Sequence, residues 1–69
     1  MIGKRVRIFG VLKGKDVIEF EGIVIDKDQH GLYIEQTSQV IVDKEPITLK
    51  HIYYIPYYNI AFLEILDNN

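Results

Sequence analysis

Aromatic side chains are concentrated in one part of the sequence, where they could stack on nucleic-acid bases. Four of the five tyrosines lie within residues 53–58. His30 lies in an earlier turn, and Tyr33 follows that turn. Stacking of a base on an aromatic ring contributes roughly 1–3 kcal/mol and tolerates any base, so this set could hold single-stranded RNA. Tyr57 and Tyr58 are the better candidates because they fall in a turn. The alternative is that the tyrosines pack at the rim of the core and at a subunit interface.

Cations that could meet RNA phosphates are unevenly distributed along the chain. Residues 1–15 hold five cations and no acid, a charge of +5, whereas residues 16–69 hold three cations and ten acids, a charge of −7. Arg5 and Arg7 alternate on one strand, and Lys27 and Lys50 lie near the aromatic set. The functional interpretation of the basic segment, which includes Arg5 and Arg7, is a phosphate-facing rim for nucleic acid or for an acidic partner, and Lys27 is a further candidate RNA contact beside the aromatic set. The alternative is a solvated strand face, since the sequence pI of 5.5 is low for a nucleic-acid-binding domain.

Other chemistry has less support in the sequence. Asp26, Asp28 and His30 could form a metal or acid–base cluster, but a hydrated turn is the preferred interpretation. No base is expected near Ser38, and His51 is interpreted as a hydrogen-bonded structural histidine. We therefore expect no catalytic residues, no metal and no cofactor.

Length and composition predict one small domain spanning residues 1–69. The chain has 69 residues, of which 48% are hydrophobic and none is cysteine. Disulfides and thiolate zinc sites are therefore excluded, although a domain of this size commonly needs support beyond its own core. No apolar run approaches the length of a membrane span, so a cytoplasmic location is expected.

The elements that position these residues are predicted to be strands. Valine, isoleucine and aromatic residues are frequent and there is one alanine, a balance typical of β-structure. Alternating polarity predicts five strands, at residues 4–12, 17–26, 32–35, 47–55 and 60–66. Gly22 predicts a bend in the second strand, which lets one long strand serve two halves of a curved sheet. Residues 36–46 are predicted to be a short edge strand or a loop, and Pro56 begins a turn.

The apolar residues exceed what one small interior can bury. The last strand is apolar on both faces, and two other strands carry apolar residues on their outer sides. A neighbouring copy is the economical cover for this surplus, so we expect a homo-oligomer. The residues expected at its interface are Ile52, Tyr54, Ala61, Leu63 and Ile65.

The order of these features resembles the Sm-like family, which includes the bacterial Hfq proteins. The resemblance covers residues 4–66. Its first motif comprises a strand, then Leu12-Lys13-Gly14-Lys15, a bent strand containing Phe20-Glu21-Gly22-Ile23-Val24, and the segment Asp28-Gln29-His30-Gly31-Leu32-Tyr33-Ile34. The second motif is matched in place by Tyr54-Ile55-Pro56-Tyr57-Tyr58-Asn59-Ile60. The resemblance implies a strongly bent five-stranded antiparallel barrel, an N-terminal helix that is absent or vestigial here, and RNA-binding rings of six or seven subunits.

The RNA-contact residues of the family are not matched. Gly31 stands where RNA-binding Sm proteins carry a base-contacting asparagine, and Pro56-Tyr57 stands at the place of their Arg-Gly pair or of the Lys-His pair of Hfq. Two functions therefore remain open. One is an Sm-like ring that binds single-stranded RNA through basic and tyrosine-rich surfaces. The other is a non-enzymatic structural or protein-interaction barrel that oligomerises without nucleic acid.

Overall fold

Five antiparallel strands in a single sheet make up the fold. The computed structural model describes residues 2–12 and 16–66. The strands are β1 (Arg5–Leu12), β2 (Asp16–Lys27), β3 (Gly31–Val42), β4 (Glu45–Pro56) and β5 (Ile60–Leu66), with one 3₁₀ turn at Tyr57–Asn59 before β5. The order across the sheet is β4-β3-β2-β1-β5. The predicted all-β class and antiparallel strands are confirmed, and the 13–15 part of the first Sm-like motif lies outside the described residues.

The sheet is open, and in this respect it differs from the predicted barrel. β4 and β5 form its two edges, and no ladder joins them within the described ranges. Alternating polarity fixes which face of each strand is buried, but it does not fix whether the outer strands meet. The same ranges contain no helix long and apolar enough to cross a membrane.

β2 changes its pairing partner halfway along its length. Its first part, through Ile23, pairs with β1, and its last part, from Ile23 to Lys27, pairs with β3. Gly22 lies at this junction, where an added Cβ would come within 2.5 Å of the Ile34 side chain and 2.8 Å of the Glu35 carbonyl oxygen. The glycine is therefore required by the close approach of β3, and the predicted division of the second strand between two halves of the sheet is observed.

The core is formed by side chains from β1, β2 and β3. Its buried side chains are Val6, Ile8, Val24, Leu32 and Ile34, and Phe20, Ile55, Ile60 and Leu63 pack around them. These residues occupy the inward-facing positions of strands whose residues alternate in polarity, so their burial stabilises the pairing of those strands.

Two backbone hydrogen bonds extend the pairing ahead of β1. The Gly3 N–H donates to the Val24 carbonyl at 2.7 Å, and the Val24 N–H donates to the Lys4 carbonyl at 3.0 Å.

A two-stranded ribbon extends beyond the core, formed by residues 37–50, which we call the arm. The two strands of the arm are joined by Asp43 and Lys44, whose φ angles are 52° and 67°. Positive φ angles at both residues are typical of the two-residue hairpin turns that match the twist of the strands. The expectation of a short strand or loop at residues 36–46 is therefore wrong, because this segment completes β3 and starts β4. Pro46 is tolerated since β4 is an edge strand. The arm gives the chain a radius of gyration of 13.8 Å, against about 11 Å for a compact domain of this length.

Candidate nucleic-acid interface

Asp28, in the turn between β2 and β3, organises the aromatic cluster. Its Oδ1 accepts hydrogen bonds from the backbone N–H groups of His30 at 2.8 Å and Gly31 at 2.9 Å, and from the Tyr54 hydroxyl at 3.0 Å. Its backbone carbonyl accepts a hydrogen bond from the Tyr57 hydroxyl at 3.2 Å. The predicted polar turn is therefore also the attachment point for two tyrosines that lie 26 and 29 residues further along the chain.

Gly31 permits this arrangement because it is the buried first residue of β3. A Cβ at this position would lie 2.6 Å from the Ile55 carbonyl oxygen and 2.8 Å from Cζ of Tyr54. The Tyr54 ring therefore occupies the space that a side chain at Gly31 would take. This is also the position at which the resemblance places the asparagine of RNA-binding Sm proteins.

The tyrosine rings lie in different environments around the turn. Tyr33 and Tyr54 have ring centroids 4.9 Å apart at an interplanar angle of 53°. The backbone N–H of Tyr57 donates to the His30 carbonyl at 2.8 Å, which joins the 3₁₀ turn to the β2–β3 turn. Tyr58, by contrast, is 87% exposed. Its ring is available to a ligand, whereas those of Tyr54 and Tyr57 are held by Asp28.

Two cavities adjoin Tyr57, and both have volumes within the usual range for small-ligand sites, roughly 300–1,000 Å³. One cavity of about 400 Å³ is lined by Gln29, His30, Tyr54, Pro56, Tyr57 and Tyr58. The other, of about 330 Å³, is lined by Lys27, Leu32, Tyr57, Ile60 and Leu63. The first is mainly aromatic, and the second has an apolar lining with a single cation.

Hydrogen bonds and desolvation move the pKa values of Asp28 and Tyr54 further from neutral pH. The backbone N–H of His30 is the largest cause that holds the pKa of the Asp28 carboxyl below its ordinary value of 3.8, and Tyr54 and Gly31 contribute further. Desolvation, followed by the neighbouring Asp28 carboxylate, raises the pKa of the Tyr54 hydroxyl above 10.0. At neutral pH the carboxylate is therefore ionised and the hydroxyl is a protonated donor.

The residues predicted to bind RNA divide into two groups in the structure. Lys27, His30, Tyr57 and Tyr58 lie together around the β2–β3 turn and the two cavities. Arg5 instead lines a separate cavity, on the side of the sheet where β2 and β3 diverge. Arg5 and the aromatic cluster therefore line different cavities.

Arg7 is surrounded by carboxylates of its own chain. Its Nη1 donates a hydrogen bond to Glu64 Oε1 at 3.2 Å, and its Nη2 lies 3.7 Å from Glu21 Oε1. Its Nε lies 3.1 Å from Glu19 Oε2, at an angle that makes a charge contact without a hydrogen bond. The three acids offset the positive charge of Arg7, which leaves it little attraction for phosphate.

The residues predicted at a subunit interface also divide. Ile52 lies on β4 and Ala61 and Ile65 lie on β5, which are the two edge strands. All three are exposed, Ile52 to 58%. Leu63 packs against the core, and Tyr54 belongs to the Asp28 cluster. An involvement of Tyr54 with Asp28 could not be read from alternation, because alternation gives the face of a strand and not the loop that lies over it.

Other chemistry finds little support in the structure. The expectation that Ser38 has no base nearby is wrong, since its Oγ lies 3.2 Å from Nε2 of His51 on the arm. In the part of the chain that the structure describes, no carboxylate hydrogen-bonds to the His51 ring, so the pair lacks the group that would orient it for catalysis. No cluster of three metal-ligating side chains occurs within the same ranges.

Comparison of this chain with protein-family models, curated proteins and solved structures gives no match. The resemblance to Sm-like proteins therefore rests on the motifs in residues 4–66 alone.

Proposed function

We propose that this protein binds single-stranded RNA, without enzymatic activity, at the surface formed by the β2–β3 turn and the 3₁₀ turn. One observation carries the proposal: Asp28 fixes Tyr54 and Tyr57 through its carboxylate and its carbonyl while Tyr58 stays 87% exposed beside them. Because these contacts order the two turns that carry the exposed ring, a base that stacks on Tyr58 has to order that one side chain and not the surrounding backbone, which favours affinity.

Each part of the surface has a role in this proposal. The aromatic cavity beside His30 and Tyr58 takes a base by stacking, and the neighbouring cavity offers an apolar lining with Lys27 for the adjacent base and its phosphate. Lys27 lines the second cavity, and the ionised Asp28 is engaged by three donors. The binding is expected to tolerate different bases, because stacking does not read their hydrogen-bonding edges.

We further propose that copies of the chain assemble into a ring, of six or seven subunits as the Sm-like resemblance implies. β4 and β5 are open edges that carry the exposed apolar residues Ile52 and Ile65, so the β4 edge of one copy can pair with the β5 edge of the next. A ring repeats the RNA-binding surface and raises avidity without new contacts. Such a ring is expected to act in the cytoplasm.

The alternative function is an oligomeric protein-interaction module that binds no nucleic acid. It is favoured by the charge balance, because Arg7 is offset by three carboxylates and the whole chain carries a net charge of −2. Under this alternative the tyrosines would serve docking to a protein.

Fluorescence anisotropy with labelled oligo-U, oligo-A and mixed RNA at low salt distinguishes the two functions. We expect binding that weakens as salt is added. Tyr58→Ala should weaken binding roughly 5- to 150-fold, which corresponds to the loss of about 1–3 kcal/mol of stacking. The control Tyr53→Leu alters a tyrosine that packs against Phe20 outside the site and should leave affinity unchanged. The absence of binding to all three RNAs would support the protein-interaction alternative.

A further inference from the structure

The arm exposes an unpaired strand edge on β3. β2 and β3 pair only as far as Glu35, and the Gln36 side-chain amide donates to the Glu21 carbonyl at 2.7 Å where the two strands part. From Thr37 to Val42, β3 pairs with β4 on one side only. Within the described residues no strand lies on its other side, so the backbone N–H and C=O groups on that side have no ladder partner.

The two edges of the arm differ in the features that prevent strand pairing. The β4 edge carries Pro46 and Lys50, and proline and lysine are residues that natural sheets place on edges to block further pairing. The β3 edge, residues 37–42, reads Thr-Ser-Gln-Val-Ile-Val, with no charge, proline or glycine. Uncharged segments of this length with high β-propensity are those that pair readily with further strands. Within the arm, the protection of the β4 edge alone indicates that the β3 edge is the one that pairs, whereas the ring contact proposed above uses β4 beyond the arm, at Ile52.

The arm lacks the burial that would hold it together by itself. Two-stranded ribbons are marginally stable in water, and three or more strands are normally needed. Ile41 is 70% exposed, and Val42 and Ile47 are also exposed. The chain exposes 5412 Å², whereas a compact monomer of this mass exposes about 4500 Å². The excess is comparable to the roughly 800 Å² that one partner contributes to a standard interface.

We propose that the β3 edge of the arm pairs with the same edge of a second copy, antiparallel and about a two-fold axis, to form a four-stranded sheet. The uncharged edge offers nothing that would attract a charged partner, whereas an identical strand meets it without charge repulsion. Pairing about a two-fold axis perpendicular to the sheet keeps the same faces together, so Val40 and Val42 of both copies lie on one face of the four-stranded sheet. The contact closes after two copies and is separate from the head-to-tail contact proposed between β4 and β5.

Opposite residues of one rung provide a matched pair of variants. Gln39 on β3 pairs with Thr48 on β4, and both are exposed, so Gln39→Lys and Thr48→Lys add the same charge to opposite edges of the arm. Light scattering should show that Gln39→Lys halves the particle mass of the wild-type protein, whereas Thr48→Lys leaves it unchanged. Circular dichroism of both variants checks that the sheet is retained. Equal masses for wild type and Gln39→Lys, with the sheet retained, would overturn the proposal.

Cysteine cross-linking gives a second test that needs no loss of assembly, because the chain has no cysteine of its own. Residues opposite each other in an antiparallel pair have Cα atoms roughly 4.5–5.5 Å apart, within the range that a disulfide spans. Single cysteine variants at each position from Thr37 to Val42 are oxidised and compared with Thr48→Cys, because one of these positions must face its own counterpart across a two-fold axis. One β3 variant should form a covalent dimer in high yield. The proposal would be refuted if none exceeded Thr48→Cys, and RNA binding by Gln39→Lys reports separately on the proposed function.

Discussion

Replacing Gly31 with alanine should disturb the candidate RNA site from within the fold. The new Cβ would lie 2.6 Å from the Ile55 carbonyl oxygen, 2.8 Å from Cζ of Tyr54 and 2.9 Å from its hydroxyl oxygen. The Ile55 carbonyl belongs to β4, where Ile55 pairs with Leu32, so it cannot move without straining the ladder. The Tyr54 ring must therefore turn away, which breaks its hydrogen bond to Asp28.

The expected loss of stability follows from this overpacking. Adding a methyl group to a tightly packed position costs about 1–3 kcal/mol. In a domain of 60–100 residues each kcal/mol lowers the melting temperature by about 4–8 °C, so a decrease of about 4–24 °C is expected for Gly31→Ala. Urea unfolding followed by circular dichroism measures the free energy, and anisotropy with oligo-U at a temperature where the variant is folded measures the effect on the site. RNA affinity should fall together with stability.

Gly22→Ala is the matched control for this experiment. Its Cβ would meet the Ile34 side chain at 2.5 Å and the Glu35 carbonyl oxygen at 2.8 Å, so the loss of stability should be similar. The clash lies between β2 and β3 in the sheet and involves neither Tyr54 nor Asp28. RNA affinity of the folded Gly22→Ala protein should therefore be retained. The reasoning is refuted if Gly31→Ala unfolds within about 0.5 kcal/mol of wild type, or if both variants lose RNA affinity equally.

Three further predictions concern the core, the turn and the ion pairs. Ile34→Ala should lower the free energy of unfolding by about 2–5 kcal/mol because Ile34 is fully buried. Ile41→Ala on the exposed arm should change that free energy by less than about 0.5 kcal/mol in the same urea titration. Similar values for the two variants would contradict the location of the core. Because the pKa of Asp28 is lowered in the folded protein, its stabilising contribution is full above pH 3.8 and is lost as the pH falls through the lowered pKa. The pKa of Tyr54 is raised, so its contribution is full below pH 10.0 and is lost as the pH rises through the raised pKa. Asp28→Asn should remove the first dependence and Tyr54→Phe the second, as measured by unfolding across pH, and unchanged pH profiles would contradict the hydrogen-bonded cluster. Arg7→Gln should destabilise the protein by leaving Glu19, Glu21 and Glu64 unbalanced, and added salt should recover part of the loss by screening their repulsion; a salt-independent loss would show that the charge contacts of Arg7 are not what it contributes.

Alternating polarity was sufficient to predict most of the strands, because each strand buries one face. It was insufficient for residues 36–46, where Asp43-Lys44-Glu45-Pro46 reads as a strand terminator. In the structure Asp43 and Lys44 both adopt left-handed backbone angles and make a two-residue hairpin turn. Pro46 lies on the edge strand β4, where a missing backbone donor is tolerated. Neither property can be derived from the local pattern alone.

The candidate site was predictable in part for a related reason. A turn exposing Tyr57 and Tyr58 is visible in the sequence, since Pro56 ends a strand immediately before it. The contacts of Asp28 with Tyr54 and Tyr57 are not visible, because they join residues 26 and 29 positions apart through the register of β3 and β4. Likewise, a cation-rich start to the chain suggested phosphate binding, but register places Arg7 opposite Glu21 and Glu64.

Ultraviolet cross-linking of the wild-type protein to a photoreactive single-stranded RNA, mapped by mass spectrometry, tests the proposed RNA site most directly. We expect adducts in peptides that contain His30, Tyr57 and Tyr58, because these residues line the aromatic cavity. Adducts confined to β1 or to the arm, or no adduct at RNA concentrations that saturate binding, would contradict the proposed site.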